Sequence, residues 1–186
     1  LLSVCSAIFG ALGEGGMGQV WLARRADGLY QRRVALKLLR PGLADPNLRL
    51  RFSREREILA RLAHPNIARL LDAGTGSEGQ PYLALEYVEG IAITDYCLVH
   101  GLSVDTRLKL FLQVCEAVSH AHANLIVHRD LKPSNMLVTA GRQVQLLDFG
   151  IATLLDRDGG ESSHPRTEVR AFTLHYAAPE QTRGEP

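Results

Sequence analysis

His128-Arg129-Asp130-Leu131-Lys132-Pro133-Ser134-Asn135 is followed, across a short apolar interval, by Asp148-Phe149-Gly150. The first run is polar, charged and broken by a proline, so it reads as a loop. Its neighbours are regular. Upstream, Ser103 can cap a helix that carries Val104, Leu108, Leu112, Cys115 and Val118 on one stripe and ends near Asn124. That stripe is expected to face the core, with His122 as a satisfied core histidine. A short strand leads from the helix into the loop. Downstream, Met136–Val138 and Val144–Leu147 read as hairpin strands, and the Gly/Ser/Arg-rich stretch 156–170 reads as a loop.

The first half of the chain has a different texture. The segment Leu1 to Leu12 reads as a strand, since Ser3, Ser6 and Gly10 interrupt it and no basic flank precedes it, which excludes a signal peptide or a membrane span. Val20 and Leu22 alternate with Gln19 and Trp21, and Val34, Leu36 and Leu38 alternate with Ala35, Lys37 and Leu39. Period two means strands. From Asp45 to Ala63 the apolar spacing turns helical through Leu48, Phe52, Leu59 and Leu62, with Asp45 as N-cap and Pro46 in the first turn. Two more strands are expected around Ile67–Leu71 and Tyr82–Tyr87, divided by a turn at Gly74–Gly79.

The chain of 186 residues, 46% hydrophobic and 22% charged, has a globular composition and room for one domain or two small lobes. A formal net charge of +1 provides no global field for nucleic acid, so an anion site must be local. Three cysteines without C-x-x-C spacing exclude a disulfide framework and a structural zinc site, and point to a reducing, cytoplasmic setting. The opening Leu and the ending at Gly-Glu-Pro suggest a piece of a longer protein.

Gly13-Glu14-Gly15-Gly16-Met17-Gly18 is followed by a strand, whereas a dinucleotide fingerprint needs a helix there, and Gln19 stands where a P-loop needs Lys. What remains is a Gly-rich hairpin whose N–H groups can approach phosphates, or, taken alone, an ordinary turn. Lys37 shares a strand face with Ala35. Lysine occurs at three positions only (Lys37, Lys109, Lys132), so a compact ammonium here is a specific choice, suited to clamping phosphate. Glu55 lies within the apolar helical stripe, where an unpaired carboxylate would cost several kcal/mol. Either it sits at the helix rim or it has a partner, and Lys37 is the obvious one.

With the 128–135 run, Asp148-Phe149-Gly150, Val34-Ala35-Leu36-Lys37 and Ala178-Pro179-Glu180 in this order, the chain resembles the protein kinase superfamily. The wording Gly-Glu-Gly-Gly-Met-Gly, His-Pro-Asn-Ile and Ala-Pro-Glu-Gln is similar to the bacterial eukaryotic-type (Hanks-type) Ser/Thr kinases. The resemblance implies an α+β, bilobal fold: a five-stranded antiparallel N-lobe sheet plus one helix over 1–87, and a mainly helical, incomplete C-lobe over 88–186. It implies transfer of the γ-phosphate of Mg-ATP, with Mn²⁺ also compatible, to Ser/Thr hydroxyls of proteins. Asp130 would orient the substrate hydroxyl and take its proton, Lys132 would stabilise the γ-phosphate, and Asn135 and Asp148 would bind the metal. Lys37, held by Glu55, would grip the α- and β-phosphates. Gly13, Glu14, Gly15, Gly16 and Gly18 would cover them.

Adenine would lie between Leu12, Val20 and Ala35 on one side and Leu137 on the other, against backbone groups of Glu86 and Val88, with Leu85 as gatekeeper. Each of these is also an ordinary core or strand residue. Leu59, Leu70, His128 and Phe149 match the family's regulatory stack. Arg129 beside Asp130 implies control by phosphorylation of the activation segment. Thr167 is the preferred phosphosite, ahead of Ser162 and Ser163, and Thr173 matches the substrate platform. The family's C-lobe continues past Ala-Pro-Glu, which leaves Glu180 expected as a buried carboxylate lacking its arginine. Homodimerisation for trans-autophosphorylation is compatible with this reading, as is a parent protein anchored in a membrane through a segment outside the chain. A non-catalytic ATP-binding or regulatory fragment is the alternative, and a small-molecule phosphotransferase is disfavoured by the activation segment.

Overall fold

The computed structural model describes residues 5–15, 18–25, 32–39, 56–57, 59–60, 62–76, 79–149 and 174–183. The chain divides into two compact units, Leu1–Glu89 and Gly90–Pro186. In the first, β1 (Cys5–Gly15), β2 (Gly18–Arg25), β3 (Arg33–Leu39), β4 (Leu70–Thr75) and β5 (Pro81–Glu86) form one sheet in the order β1-β2-β3-β5-β4. All four pairings are antiparallel. Because side chains alternate across a strand, register decides which residues meet. Val34 and Leu36 of β3 join Ala23, Tyr82 and Ala84 in a buried cluster, with Trp21, Leu38 and Leu71 packed against it. The residues between them fall on the opposite face. There Lys37 stands opposite both Val20 and Leu83, and Ala35 opposite both Leu22 and Leu85.

Both ends of the fourth strand differ from the sequence reading. The fourth strand starts at Leu70, not Ile67, because His64-Pro65-Asn66 turns just before it, with the Asn66 N–H donating to His64 Nδ1. It also runs on through Gly74 and Thr75. A Cβ at Gly74 would come within 2.9 Å of the Tyr82 hydroxyl, so this glycine makes room for a cross-strand ring and does not begin a turn. Of the expected helix 45–63, Arg56, Glu57, Leu59 and Ala60 are described and helical, whereas Leu62 and Ala63 are described and not helical, so the helix ends before its expected end.

The second unit opens with β6 (Gly90–Ala92), which pairs with β7 (Met136–Thr139), and β7 pairs in turn with β8 (Val144–Leu146). Helix α1 spans Ile93–Val99 and α2 spans Val104–Ala123. Ser103 caps α2 by accepting from the Thr106 N–H, and His120 and His122 lie in the last turn, where the helix dipole favours positive charge. The buried face of α2 consists of Leu110, Val114, Ala117 and Ala121. This corrects the expected stripe: Val104, Leu108, Leu112 and Cys115 are exposed and Val118 is half-buried. The helix is apolar on both sides, and Gln113 selects between them. Its Oε1 accepts from Val144 N–H and its Nε2 donates to the Arg142 carbonyl, which docks that side onto the β7–β8 hairpin. His122 is exposed and is not a core histidine. Residues 126–128 pair in no ladder, so the expected short strand is an extended link. Among the described residues, no helix is long and apolar enough to cross a membrane.

Candidate functional site

In the first unit the glycine cluster spans the end of β1 and the start of β2, which pair down to Gly15 opposite Gly18. Gly16 lies outside the described residues. Gly18 has φ +141°, and a Cβ there would lie 1.9 Å from the Leu38 carbonyl oxygen, so the backbones of β2 and β3 approach as only glycine allows. Gly13 and Glu14 stand opposite Val20 and Gln19. Leu12 is exposed, while Val20 and Ala35 are half-buried.

Lys37 is 6% exposed, a burial lysine tolerates only in a satisfied setting. Its expected partner Glu55 lies outside the described residues. At the end of β5 the Glu86 N–H donates to the Arg69 carbonyl. Two arginines that the sequence reading did not single out brace the segment after it. Arg32 pairs with the Glu86 carboxylate, while Arg33 pairs with Glu89 at 2.9 Å and lies 5.0 Å from the centre of the Tyr87 ring. Val88 is half-buried beside them. Leu59 and Leu70 are half-buried elsewhere in this unit.

The second unit brings together Asp130, Lys132 and Asn135. Lys132 Nζ lies 2.7 Å from Asp130 Oδ2. Asn135 Nδ2 donates to the Asp130 carbonyl at 2.8 Å and reaches Asp130 Oδ2 at 3.3 Å. Both of those groups only accept, which fixes the amide orientation and leaves Asn135 Oδ1 as its acceptor end. A 3-10 turn over Pro133–Asn135 holds this geometry, and Leu137 follows half-buried in β7.

Asp148 is tied to the same loop through Leu147, whose N–H donates to the Asn135 carbonyl at 2.9 Å. The Leu147 carbonyl accepts from His128 Nε2 at 2.8 Å, and His128 Nδ1 accepts from the Asp130 N–H. Those bonds require the neutral Nε2–H tautomer. Burial lowers the His128 pKa from 6.5, against the Leu147 hydrogen bond and the charges of Asp148 and Asp130, which raise it. The His128 and Phe149 rings stack with centres 4.6 Å apart. Arg129 (φ 65°) and Asp148 (φ 58°) both occupy the left-handed region, which costs a non-glycine residue on the order of 1–3 kcal/mol and persists where surrounding contacts over-determine it.

A lowered pKa means that the unfolded chain binds the His128 proton more readily than the folded one. The resulting stability is present above pH 6.5 and lost as pH falls through the lower folded value. Thermal melts in magnesium-free buffer between about pH 7 and 5 should therefore fall more steeply for the wild type than for His128→Gln, which cannot titrate. Equal slopes would remove His128 from this role.

Gln181 also belongs to this site, although the sequence reading passed over it. It lies in α3 (Pro179–Arg183) and donates from Nε2 to the Arg129 carbonyl at 2.8 Å. Its only sequence signal is the place three residues after Ala178, where a helix's third residue can reach back to the cap. Glu180 is exposed, in the first turn of α3, where a carboxylate is well placed toward the helix dipole, so it is not the buried acid expected. Ser162, Ser163, Thr167 and Thr173 lie outside the described residues. Among the described residues no cluster of three His, Cys, Asp or Glu side chains could hold a metal ion.

Residues 7–186 match the family model for the protein kinase domain. The chain is 39% identical over 179 residues to the serine/threonine-protein kinase PknB of Mycobacterium tuberculosis, covering 94% of this chain and 28% of that protein. It is 38% identical to the serine/threonine-protein kinase PrkC of Bacillus subtilis, covering 95% of this chain and 26% of that one. The chain thus spans little more than a quarter of the length of these relatives. Among solved structures, the M. tuberculosis PknI kinase domain superposes with a TM-score of 0.68 at 32% identity, covering all of this chain and 68% of that one. A five-stranded antiparallel sheet in one unit, a catalytic-loop wording in the other and this breadth of likeness lead to one assignment: the chain has the protein kinase fold and belongs to the protein kinase family, among its bacterial eukaryotic-type (Hanks-type) members.

Proposed function

We propose that the chain is the catalytic domain of a Ser/Thr protein kinase that transfers the γ-phosphoryl group of ATP to hydroxyls of protein substrates. The observation that carries this reading is the Asp130–Lys132–Asn135 arrangement. It offers a carboxylate to a hydroxyl, an ammonium to a phosphoryl group and an amide oxygen to a hard cation within one loop. Phosphoryl transfer needs positioning and charge compensation more than covalent participation. Asp130 would align the attacking hydroxyl and accept its proton, while Lys132 would hold the transferring group. Asn135 Oδ1 and the Asp148 carboxylate would hold magnesium, or manganese in its place, which when bound offsets the charge of the phosphates.

In the first unit, the Lys37 ammonium would contact the α- and β-phosphates with Glu55 as its partner. The glycine hairpin would cover them, and Val20 and Ala35 would present an apolar face to adenine. Arg129 adjoining Asp130 favours regulation by phosphorylation of the segment that contains Thr167, Ser162 and Ser163. The test is incubation of the full-length protein with [γ-³²P]ATP and Mg²⁺, followed by phosphoamino-acid analysis. Label is expected on Ser or Thr, within the protein itself and on added casein. Nucleotide binding with no label transferred would favour the non-catalytic alternative instead.

A further inference from the structure

From the hydrogen bonds around Arg129 we infer that Gln181 is a positioning residue for phosphoryl transfer, one that sets the backbone of the catalytic loop from the far side of the activation segment. The inference rests on the reading of Asp130 as the base. The peptide unit that joins Arg129 to Asp130 is gripped at both ends. Its N–H donates to His128 Nδ1, and its carbonyl accepts from Gln181 Nε2 at 2.8 Å. The next carbonyl, of Asp130 itself, accepts from Asn135. Two of these three constraints come from the loop's own residues. The third arrives from a helix 52 positions along the chain.

Arg129 needs such a constraint because its φ of 65° is a conformation that a non-glycine residue leaves when nothing holds it. A rotation of that peptide would swing the Asp130 carboxylate away from its place beside Lys132, and small misplacements of a reacting group are costly.

The other end of the Gln181 amide is also committed. Oε1 accepts from the Ala178 N–H at 3.1 Å, which caps the start of α3 in the manner of the reciprocal half of a capping box. The amide serves both ends at once, whereas a carboxylate can cap but not donate, and an ammonium can donate but not cap. The helix that follows the activation segment is thereby connected to the residue before the proposed base.

The two functions of the amide can be separated by substitution in the full-length protein. Gln181→Glu retains the cap and turns the donor into an acceptor facing a carbonyl. Gln181→Lys retains a donor and loses the cap. For a positioning role, kcat for casein phosphorylation should drop roughly tenfold or more in Gln181→Glu with KM for ATP unchanged, and stay within about threefold of wild type in Gln181→Lys. A purely structural capping role predicts the reverse order. The inference is overturned by that reverse order, by equal losses in the two variants, by wild-type kcat in Gln181→Glu, or by failure of Gln181→Glu to fold as judged by circular dichroism. Asp130→Asn assayed in parallel separates the two levels. If the wild type transfers label, Asp130→Asn does not, and Gln181→Glu matches the wild type, then the inference fails and the kinase reading stands. If Asp130→Asn transfers label as well as the wild type, the kinase reading of the loop has failed.

Discussion

Asp130→Asn should reduce kcat by about 10²–10⁴-fold, the usual range for loss of a positioned general base, and leave ATP affinity within about twofold. The substitution preserves the size of the side chain and removes its charge. In the native loop Asp130 Oδ2 lies 2.7 Å from the Lys132 ammonium, and the Asp130 carbonyl is held by Asn135 Nδ2. The backbone bond survives the change, so the loop keeps its shape and the loss falls on the chemical step. Asparagine cannot accept the hydroxyl proton, and its amide no longer balances the Lys132 charge. Steady-state kinetics with casein, together with titration of a fluorescent ATP analogue, separate these effects. Turnover within threefold of wild type would take Asp130 out of the role of base.

Among the described glycines of the first unit, Gly18→Ala is expected to be the most damaging single-methyl change. A Cβ there would lie 1.9 Å from the Leu38 carbonyl oxygen, 3.0 Å from its carbon and 3.2 Å from the Leu39 Cα, all of them backbone atoms that cannot rotate aside. The φ of +141° is unfavourable for alanine as well. Relief requires β2 to move off β3 next to Lys37, since Leu38 follows Lys37 directly in the strand. A cost of about 3 kcal/mol, as for other strained backbone sites, corresponds to a fall in Tm of about 6–12 °C in a chain of this size. KM for ATP should rise at least tenfold, because the covering hairpin and the lysine are displaced together. Gly13→Ala is the control, with nothing within 4 Å of its Cβ and no left-handed φ, and it should melt within a degree or two of wild type. Indistinguishable melting of the two variants would contradict the close approach at Gly18.

Much of the sheet was legible because period-two alternation in β2 and β3 is local information, and register then places Val20, Ala35 and Lys37 on one face. The wording of residues 128–135 also announced a polar loop, and the coordinates bring Asp130, Lys132 and Asn135 within hydrogen-bonding reach of one another. Helix α2 was misread for a physical reason. Val104, Leu108 and Leu112 form as good an apolar stripe as Leu110, Val114, Ala117 and Ala121, and a choice between two such faces is made by distant partners such as Val144 and Arg142, not by spacing. Gly74 carried the usual signal of a turn but serves the ring of Tyr82, a cross-strand neighbour invisible in a linear pattern. Gln181 gave little sign of itself, because the bond that matters joins it to residue 129 and a hydrogen-bond partner so remote leaves no local signature.

The peptide groups on either side of Leu147 are tethered to the loop, one through its N–H to Asn135 and the other through its carbonyl to His128. The β7–β8 hairpin therefore ends in a clamp, and the torsions of Asp148 are the first along the chain that can turn without breaking one of those bonds. Even there the next ring along, Phe149, rests on His128 with centres 4.6 Å apart, so the aim of the Asp148 carboxylate is geared to the same histidine that fastens the hairpin.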